Sequence, residues 1–206
     1  MELDQCIAKR HSIRSYLDKQ VSWDLISQLI DAAHNAPSSG NIQNWVFVVV
    51  TDDKKRKDLT VSSLNQSWMA EAPVHIVVCS DNFKIKKHYE NSSDRFIHEN
   101  CAAAIQNLLL KATDLGLGTC WVGSFNPEMV EQVIEAKENI EVIAIITVGY
   151  PAEKPISKRH KIEELTFFER YGNRIRDTSI FPLEKTKNKL ENKIEKSVSK
   201  LKKIKK

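Results

Sequence analysis

Near the N-terminus of this 206-residue chain, Arg10, His11, Ser12, Ile13 and Arg14 gather two guanidinium groups, an imidazole and a hydroxyl within five residues. Arginine gives bidentate, charge-assisted hydrogen bonds and serine a compact one, so the stretch suits a phosphate or another anion. A helix predicted over about residues 2–9 ends just before it. A solvated basic helix end resting on its own carbonyls is the plainer account of the same residues. A second constellation, Ala36-Pro37-Ser38-Ser39-Gly40-Asn41-Ile42-Gln43-Asn44-Trp45, combines a rigid proline, a permissive glycine and five hydrogen-bonding side chains, more than a simple turn needs. A third runs from Gly116 to Ser124 (GLGTCWVGS). Gly116 suits a helix stop, whereas Gly123 behind an apolar run suggests close approach of the backbone to something flat or bulky. The pattern is not G-x-G-x-x-G opening a helix, which disfavours a Rossmann dinucleotide site. Cys120 lies in an apolar run without a neighbouring histidine and reads as an inert core thiol.

The elements that must hold these groups are legible from periodicity. Trp45–Thr51, Val74–Ser80, Thr119–Val122 and Val142–Val148 are Val/Ile-rich and nearly continuous, as strands covered on both faces would be. Ser22 can cap a helix carrying Leu25, Ile26, Leu29, Ile30 and Ala33 on one stripe and stopping near Ala36-Pro37. A longer helix is predicted from about Ser93 to Leu115, with Gly116 as its stop. Asn126-Pro127-Glu128 marks a third start, a capping side chain followed by proline at the first helical position. Helices and strands mixed without regular alternation predict an α+β fold.

The formal charge of +4 is unevenly placed: ten lysines against three glutamates between Leu183 and Lys206 put +7 in the tail and leave −3 for residues 1–182. Residues 1–182 are expected to form one domain and 183–206 a Lys-rich tail, helical or disordered, with Leu190, Ile194, Val198, Leu201 and Ile204 on a narrow stripe. No aromatic or glycine interleaves with those lysines, so nucleic acid or an anionic surface is disfavoured as the main partner. Cys6, Cys79, Cys101 and Cys120 show no C-x-x-C or zinc spacing, and no metal is expected. The N-terminus lacks a signal-peptide pattern and no apolar run is long enough to span a bilayer, so a cytoplasmic protein with reduced thiols is expected.

Together the three constellations, in this order, resemble the FMN-dependent nitroreductase family. Its R-[RH]-S-[IV]-R pattern matches Arg10–Arg14, its P-S-x-x-N-x-Q-x-W segment Pro37–Trp45, and its G-L-G-x-x-W segment Gly116–Trp121. Asn65-Gln66 before Glu71-Ala72-Pro73 is a fourth match, and Lys158-Arg159-His160-Lys161 before Glu163-Glu164-Leu165 a looser fifth. The resemblance spans roughly residues 4–175.

It implies an α+β sandwich with a central, mostly antiparallel sheet flanked by helices, forming an intertwined homodimer with two FMN sites at the interface. By that similarity Arg10, His11 and Ser12 hold the FMN phosphate and ribityl chain, completed by Arg159 and Lys161. Arg14 lies near N1 and the C2 carbonyl of the flavin, where reduction concentrates negative charge. Asn65 bonds the pyrimidine edge, and Pro37, Ser38, Ser39 and Asn41 come from the partner subunit. Trp121, Val122 and Gly123 line the ring, with a backbone N–H near Gly123 or Ser124 facing N5. No catalytic triad or general base is expected. The implied reaction is ping-pong: NAD(P)H gives hydride to flavin N5 and leaves, and a nitroaromatic, quinone or similar acceptor is then reduced on the same face.

Two features depart from the pattern. Trp68 stands where some members carry lysine, which leaves Arg14 as the charge near the pyrimidine edge. The short segment from Asp81 to Ser93 offers Phe83, His88 and Tyr89 as lid residues, with His88 and His98 read as surface histidines. The same scaffold also serves dehalogenation, flavin fragmentation and dehydrogenation, and a non-enzymatic flavin-binding redox sensor is a rival of another class.

Overall fold

The apolar runs become strands and the capped, amphipathic segments become helices. The computed structural model describes residues 1–89, 92–174 and 181, in the order α1 (Leu3–Lys9), α2 (Trp23–His34), β1 (Trp45–Val50), α3 (Asp53–Ser62), β2 (Val74–Asp81), α4 (Asn82–Lys86), α5 (Ser93–Asp114), β3 (Gly118–Val122), α6 (Pro127–Ile134), β4 (Ile140–Gly149) and α7 (Ile162–Leu165). The tail expected at 183–206 lies outside the described residues. These fall into two compact units, Arg10–Pro155 and Met1–Lys9 with the residues from Ile156 onward.

The larger unit is built on a sheet of order β1-β2-β4-β3 in which every strand pairing is antiparallel. Both faces are covered. Val74, Ile76 and Val78 of β2, with Ala144, Ile146 and Val148 of β4, pack against Ile26, Leu29 and Ala33 of α2 and Cys101, Ile105, Leu108 and Ala112 of α5. On the other face Val77, Cys79, Val142 and Ile145 meet Leu59 of α3 and Val130 of α6. Alternation alone would put Val142 on the α5 face with Ala144 and Ile146. A bulge prevents this: Val78 pairs with Ala144 but Cys79 with Val142, so Ile143 is an extra residue and the pleat flips across it.

The predicted caps form. Ser22 Oγ accepts from Leu25 N–H at 3.4 Å and Asn126 Oδ1 from Met129 N–H at 3.1 Å. Gly116 takes φ +74°, and the Leu117 N–H returns to the Ala112 carbonyl at 2.8 Å, closing α5 with a left-handed residue as glycine permits. Helix α3 has no counterpart in the sequence reading. Its first half, Asp53-Lys54-Lys55-Arg56-Lys57-Asp58, carries no apolar stripe, and what starts it is the Asp52 cap, which accepts from Lys55 N–H at 2.8 Å.

Among the described residues no disulfide forms, and all four cysteines are buried. Burial pushes the Cys79 and Cys101 thiols up to about 12, so both stay protonated. In the smaller unit, α1 precedes the Arg10 motif and α7 follows Lys161, whose carbonyl accepts from Glu164 N–H at 3.0 Å.

Candidate functional site

The first and third constellations meet at an edge of the sheet. β3 is an edge strand, and its free side is occupied by the segment that follows Arg10: Ser12 bridges Thr119 in parallel, with Ile13 N–H donating to the Thr119 carbonyl at 2.9 Å. The segment then runs antiparallel to residues 150–152, through Leu17 N–H to the Tyr150 carbonyl and Ala152 N–H to the Ser15 carbonyl. Ile13 and Tyr16 are buried and Arg14 is exposed; since 13 and 16 are three apart, strict alternation does not hold through this segment. Tyr16 anchors the inner face: its hydroxyl donates to the Ile13 carbonyl at 2.6 Å and bonds Thr147 Oγ1 at 2.7 Å. Burial holds that phenol far above its ordinary range.

The close approach depends on Gly118. A Cβ there would stand 2.9 Å from Ile13 Cγ1, so only glycine lets the basic segment lie on β3. Gly123, at the other end of the strand, is different. Its missing Cβ would meet nothing nearer than the Trp121 indole nitrogen at 3.9 Å, so no neighbour among the described residues requires glycine there. Trp121 is exposed beside it, while Val122 is buried in the core.

Arg10, Ser12 and Arg14 converge on Cys120. The Ser12 side chain bonds the thiol, and the Arg14 and Arg10 charges act on it, yet burial outweighs them and raises its pKa. Cys120 is therefore held in its protonated, unreactive form within the core. His11 is half-buried next to Ser12.

The fourth match joins the same edge. Leu64 and Asn65 both take left-handed conformations, φ +58° and +54°, after α3, which turns the chain sharply and leaves Asn65 exposed. Gln66 Nε2 donates to the Ser63 carbonyl at 3.0 Å and the Ser124 carbonyl at 3.3 Å, tying this turn to the end of β3. Two residues on, the Trp68 ring faces the Arg14 guanidinium, with Cζ 5.7 Å from the ring centroid. The Arg14 backbone N–H donates to the Glu153 carboxylate, and Tyr16 N–H to Glu71 Oε2 at 3.2 Å.

The second constellation lies elsewhere. It precedes β1, which two strands, β2 and β4, separate from β3, so within one chain Pro37, Ser38, Ser39 and Asn41 do not join Arg10 or Trp121. Gly40, Asn41 and Gln43 have φ of +56°, +56° and +52°, a contorted path held by side chains. Ser38 Oγ accepts from Gln43 N–H at 3.0 Å, Gln43 Nε2 donates to Asn41 Oδ1 at 2.9 Å, and Ser39 gives its N–H (2.9 Å) and Oγ (3.2 Å) to Asn100 Oδ1. Asn100 Nδ2 reaches Asn44 Oδ1 at 2.7 Å, and Asn44 Nδ2 reaches Ser80 Oγ at 2.8 Å. Motif reading did not find Asn100, since one asparagine on a helical stripe carries no signal of its own.

Among the proposed lid residues, Tyr89 stacks edge-on against Phe96 at 4.7 Å, and its hydroxyl lies 2.8 Å from where a Cβ on Gly40 would be. Phe83 is exposed, and exposed His88 bonds the Lys84 carbonyl through Nδ1. His98 lies 3.8 Å from Glu141 on the surface. Arg159 and Lys161 are exposed in the smaller unit, with Lys161 immediately before α7. Among the described residues, no group of three or more His, Cys, Asp or Glu side chains is placed to hold a metal ion, and no helix is long and apolar enough to cross a membrane.

A family model described as "Nitroreductase family" matches residues 7–66 and 60–150. An Archaeoglobus fulgidus protein with the provisional name NADH dehydrogenase/NAD(P)H nitroreductase is 34% identical over 159 residues, 74% of this chain and 88% of that one. FMN reductase [NAD(P)H] of Bacillus subtilis is 27% identical over 195 residues, 86% of this chain and 78% of that one. The crystal structure of a Parabacteroides distasonis protein, also provisionally named NADH dehydrogenase/NAD(P)H nitroreductase, superposes with a TM-score of 0.74 at 30% identity, covering 83% of this chain and 99% of that one.

Proposed function

This chain belongs to the nitroreductase family, and we propose that it acts as a homodimeric, FMN-dependent oxidoreductase that takes electrons from NAD(P)H and delivers them to a small acceptor such as a nitroaromatic or a quinone. The observation that carries the reading is the joining of the Arg10–Arg14 segment to the outer edge of β3 through Ile13 and Thr119, which brings a cationic, hydroxyl-bearing stretch to Cys120 on the strand that also carries Trp121.

The residues present fit FMN. Arg10 and Arg14 are permanent cations, and Ser12 and His11 add compact donors, the set a phosphate and a polyhydroxyl chain would use. Gly123 leaves open a space that a side chain would fill, beside the exposed Trp121 and the end of β3. Asn65 offers an amide from the turn that Gln66 ties to the same strand end. Bound there, FMN would supply hydride acceptance at N5 and onward electron transfer in a second half-reaction, a ping-pong order. The chain's own part is to bind and orient: Arg10, His11 and Ser12 hold the anionic end, Arg14 places a positive charge at the pyrimidine side, and Trp121, Val122 and Gly123 shape the ring face. No side chain is assigned as a general base.

The far placement of Pro37, Ser38, Ser39 and Asn41 supports the dimer. These residues would serve the flavin bound by a second copy rather than their own.

The test is to purify the protein, record a visible spectrum, and add NADPH and NADH separately without oxygen. A flavin spectrum that bleaches with one of them is the expected result. A colourless protein that added FMN cannot reconstitute overturns the reading, and a bound flavin that neither donor bleaches points to a redox sensor without turnover.

A further inference from the structure

Trp68 belongs to none of the binding motifs, yet it is the aromatic ring against which Arg14 rests. It sits in the short helical turn Ser67–Glu71, half-buried, and packs against two apolar clusters. One contact is with Ile13, Tyr16 and Ala72; the other is with the apolar cluster that includes Met69 and Val122. Arg14, by contrast, is exposed. Its backbone is fixed by Glu153, while the ring is the wall that limits where the guanidinium can swing.

We propose that Trp68 is a positioning residue that holds the Arg14 guanidinium in place and thereby sets how strongly the site prefers reduced over oxidised FMN. The proposal rests on the placement of Arg14 at the pyrimidine side of the flavin given under Proposed function. Reduced FMN carries more negative charge there than oxidised FMN. A cation at one fixed distance favours the reduced form more than a cation averaged over several rotamers, because the Coulomb energy falls with distance and hydration screens a swinging side chain more fully. An aromatic face both attracts a guanidinium and removes water from one side of it. Among the described residues, the charges near Arg14 include the Glu153 carboxylate at its backbone and the Glu71 carboxylate at the Tyr16 N–H, both of which oppose its field, and Arg10, which shares its influence on Cys120. The nearby Cys120 thiol and Tyr16 phenol are held neutral by burial and add no charge.

The experiment measures the midpoint potential of FMN bound to the full-length holoprotein, by anaerobic equilibration with a reference dye, in the wild type, W68L, W68F, R14Q and W68L/R14Q. W68L should lower the preference for reduced FMN about tenfold, which for a two-electron couple is a potential about 30 mV more negative. W68F keeps a ring face in the same place and should give a smaller shift of the same sign; it carries the test if leucine at 68 prevents folding. In the R14Q background, W68L should add nothing further. An unmoved potential in W68L and W68F beside a shifted R14Q overturns the role of Trp68 alone, as does a Trp68 effect that persists in full without Arg14. An R14Q protein that binds FMN at the wild-type potential overturns both this role and the placement of Arg14 at the flavin.

Discussion

Asn100, on α5, donates its side-chain amide to Asn44 Oδ1 at 2.7 Å, where both residues are cut off from solvent. The same Asn100 accepts the Ser39 N–H, so one asparagine joins the contorted Pro37–Gln43 loop to both the helix and the start of β1. Asn100→Ala would leave Asn44 Oδ1 and the Ser39 N–H without that partner, at a cost of about 1–3 kcal/mol for each group stranded. Urea denaturation checks this. The double variant Asn44→Leu/Asn100→Leu should cost less than the sum of the two single changes, because the second removes a group the first has already orphaned.

Gly118→Ala should destabilise the fold by about 1–3 kcal/mol, since the new methyl would press on Ile13 at 2.9 Å and force the basic segment off β3. Combining it with Ile13→Ala should recover part of the loss. If Ile13→Ala costs as much in the Gly118→Ala background as it does alone, the contact is not what excludes alanine.

His75 makes stability depend on pH. It lies buried in β2, with Nε2 donating to the Met69 carbonyl at 2.9 Å and no partner for Nδ1 among the described residues, and burial lowers its pKa from 6.5 to about 4, with the Arg56 charge adding to the effect. The unfolded chain therefore binds the proton more readily, so the stability contributed is fully present above pH 6.5 and is lost as pH falls from there through 4. Two and a half pKa units correspond to about 3 kcal/mol. His75→Gln, whose amide can still donate to Met69, should flatten this part of a stability–pH profile.

Arg10→Ala should weaken FMN binding by about 1.5–3 kcal/mol, the worth of a hydrogen bond to a charged group. Quenching of free FMN fluorescence during titration measures it. An unchanged affinity would remove Arg10 from the phosphate site.

Deleting residues 184–206 should leave reduction of bound FMN by NAD(P)H intact, because the binding motifs end before that Lys-rich stretch. Anaerobic bleaching rates of the shortened and full chains make the comparison. Loss of reduction with FMN still bound would give the tail a part in the reaction.

What the sequence determined by itself is local. Ser22, Asn126 and Gly116 announced helix boundaries because capping and left-handed termination are decided within one turn, and the Val/Ile runs announced strands because burial on both faces leaves a continuous apolar stretch. The motifs were legible for the same reason, as short strings with fixed internal spacing. Tertiary structure decided everything that depends on strand order: that Ile13 lies on Thr119, that Trp68 faces Arg14, that Asn100 meets Asn44, and that Val142 turns away from Ala144 across a bulge. Such pairs lie far apart in the chain or hinge on a one-residue shift in register, and alternation along a strand does not say which neighbour it will pair with. The basic segment near the N-terminus could therefore be read as an anion site from its residues, but the ring that confines Arg14 came into view only when the chain had folded around it.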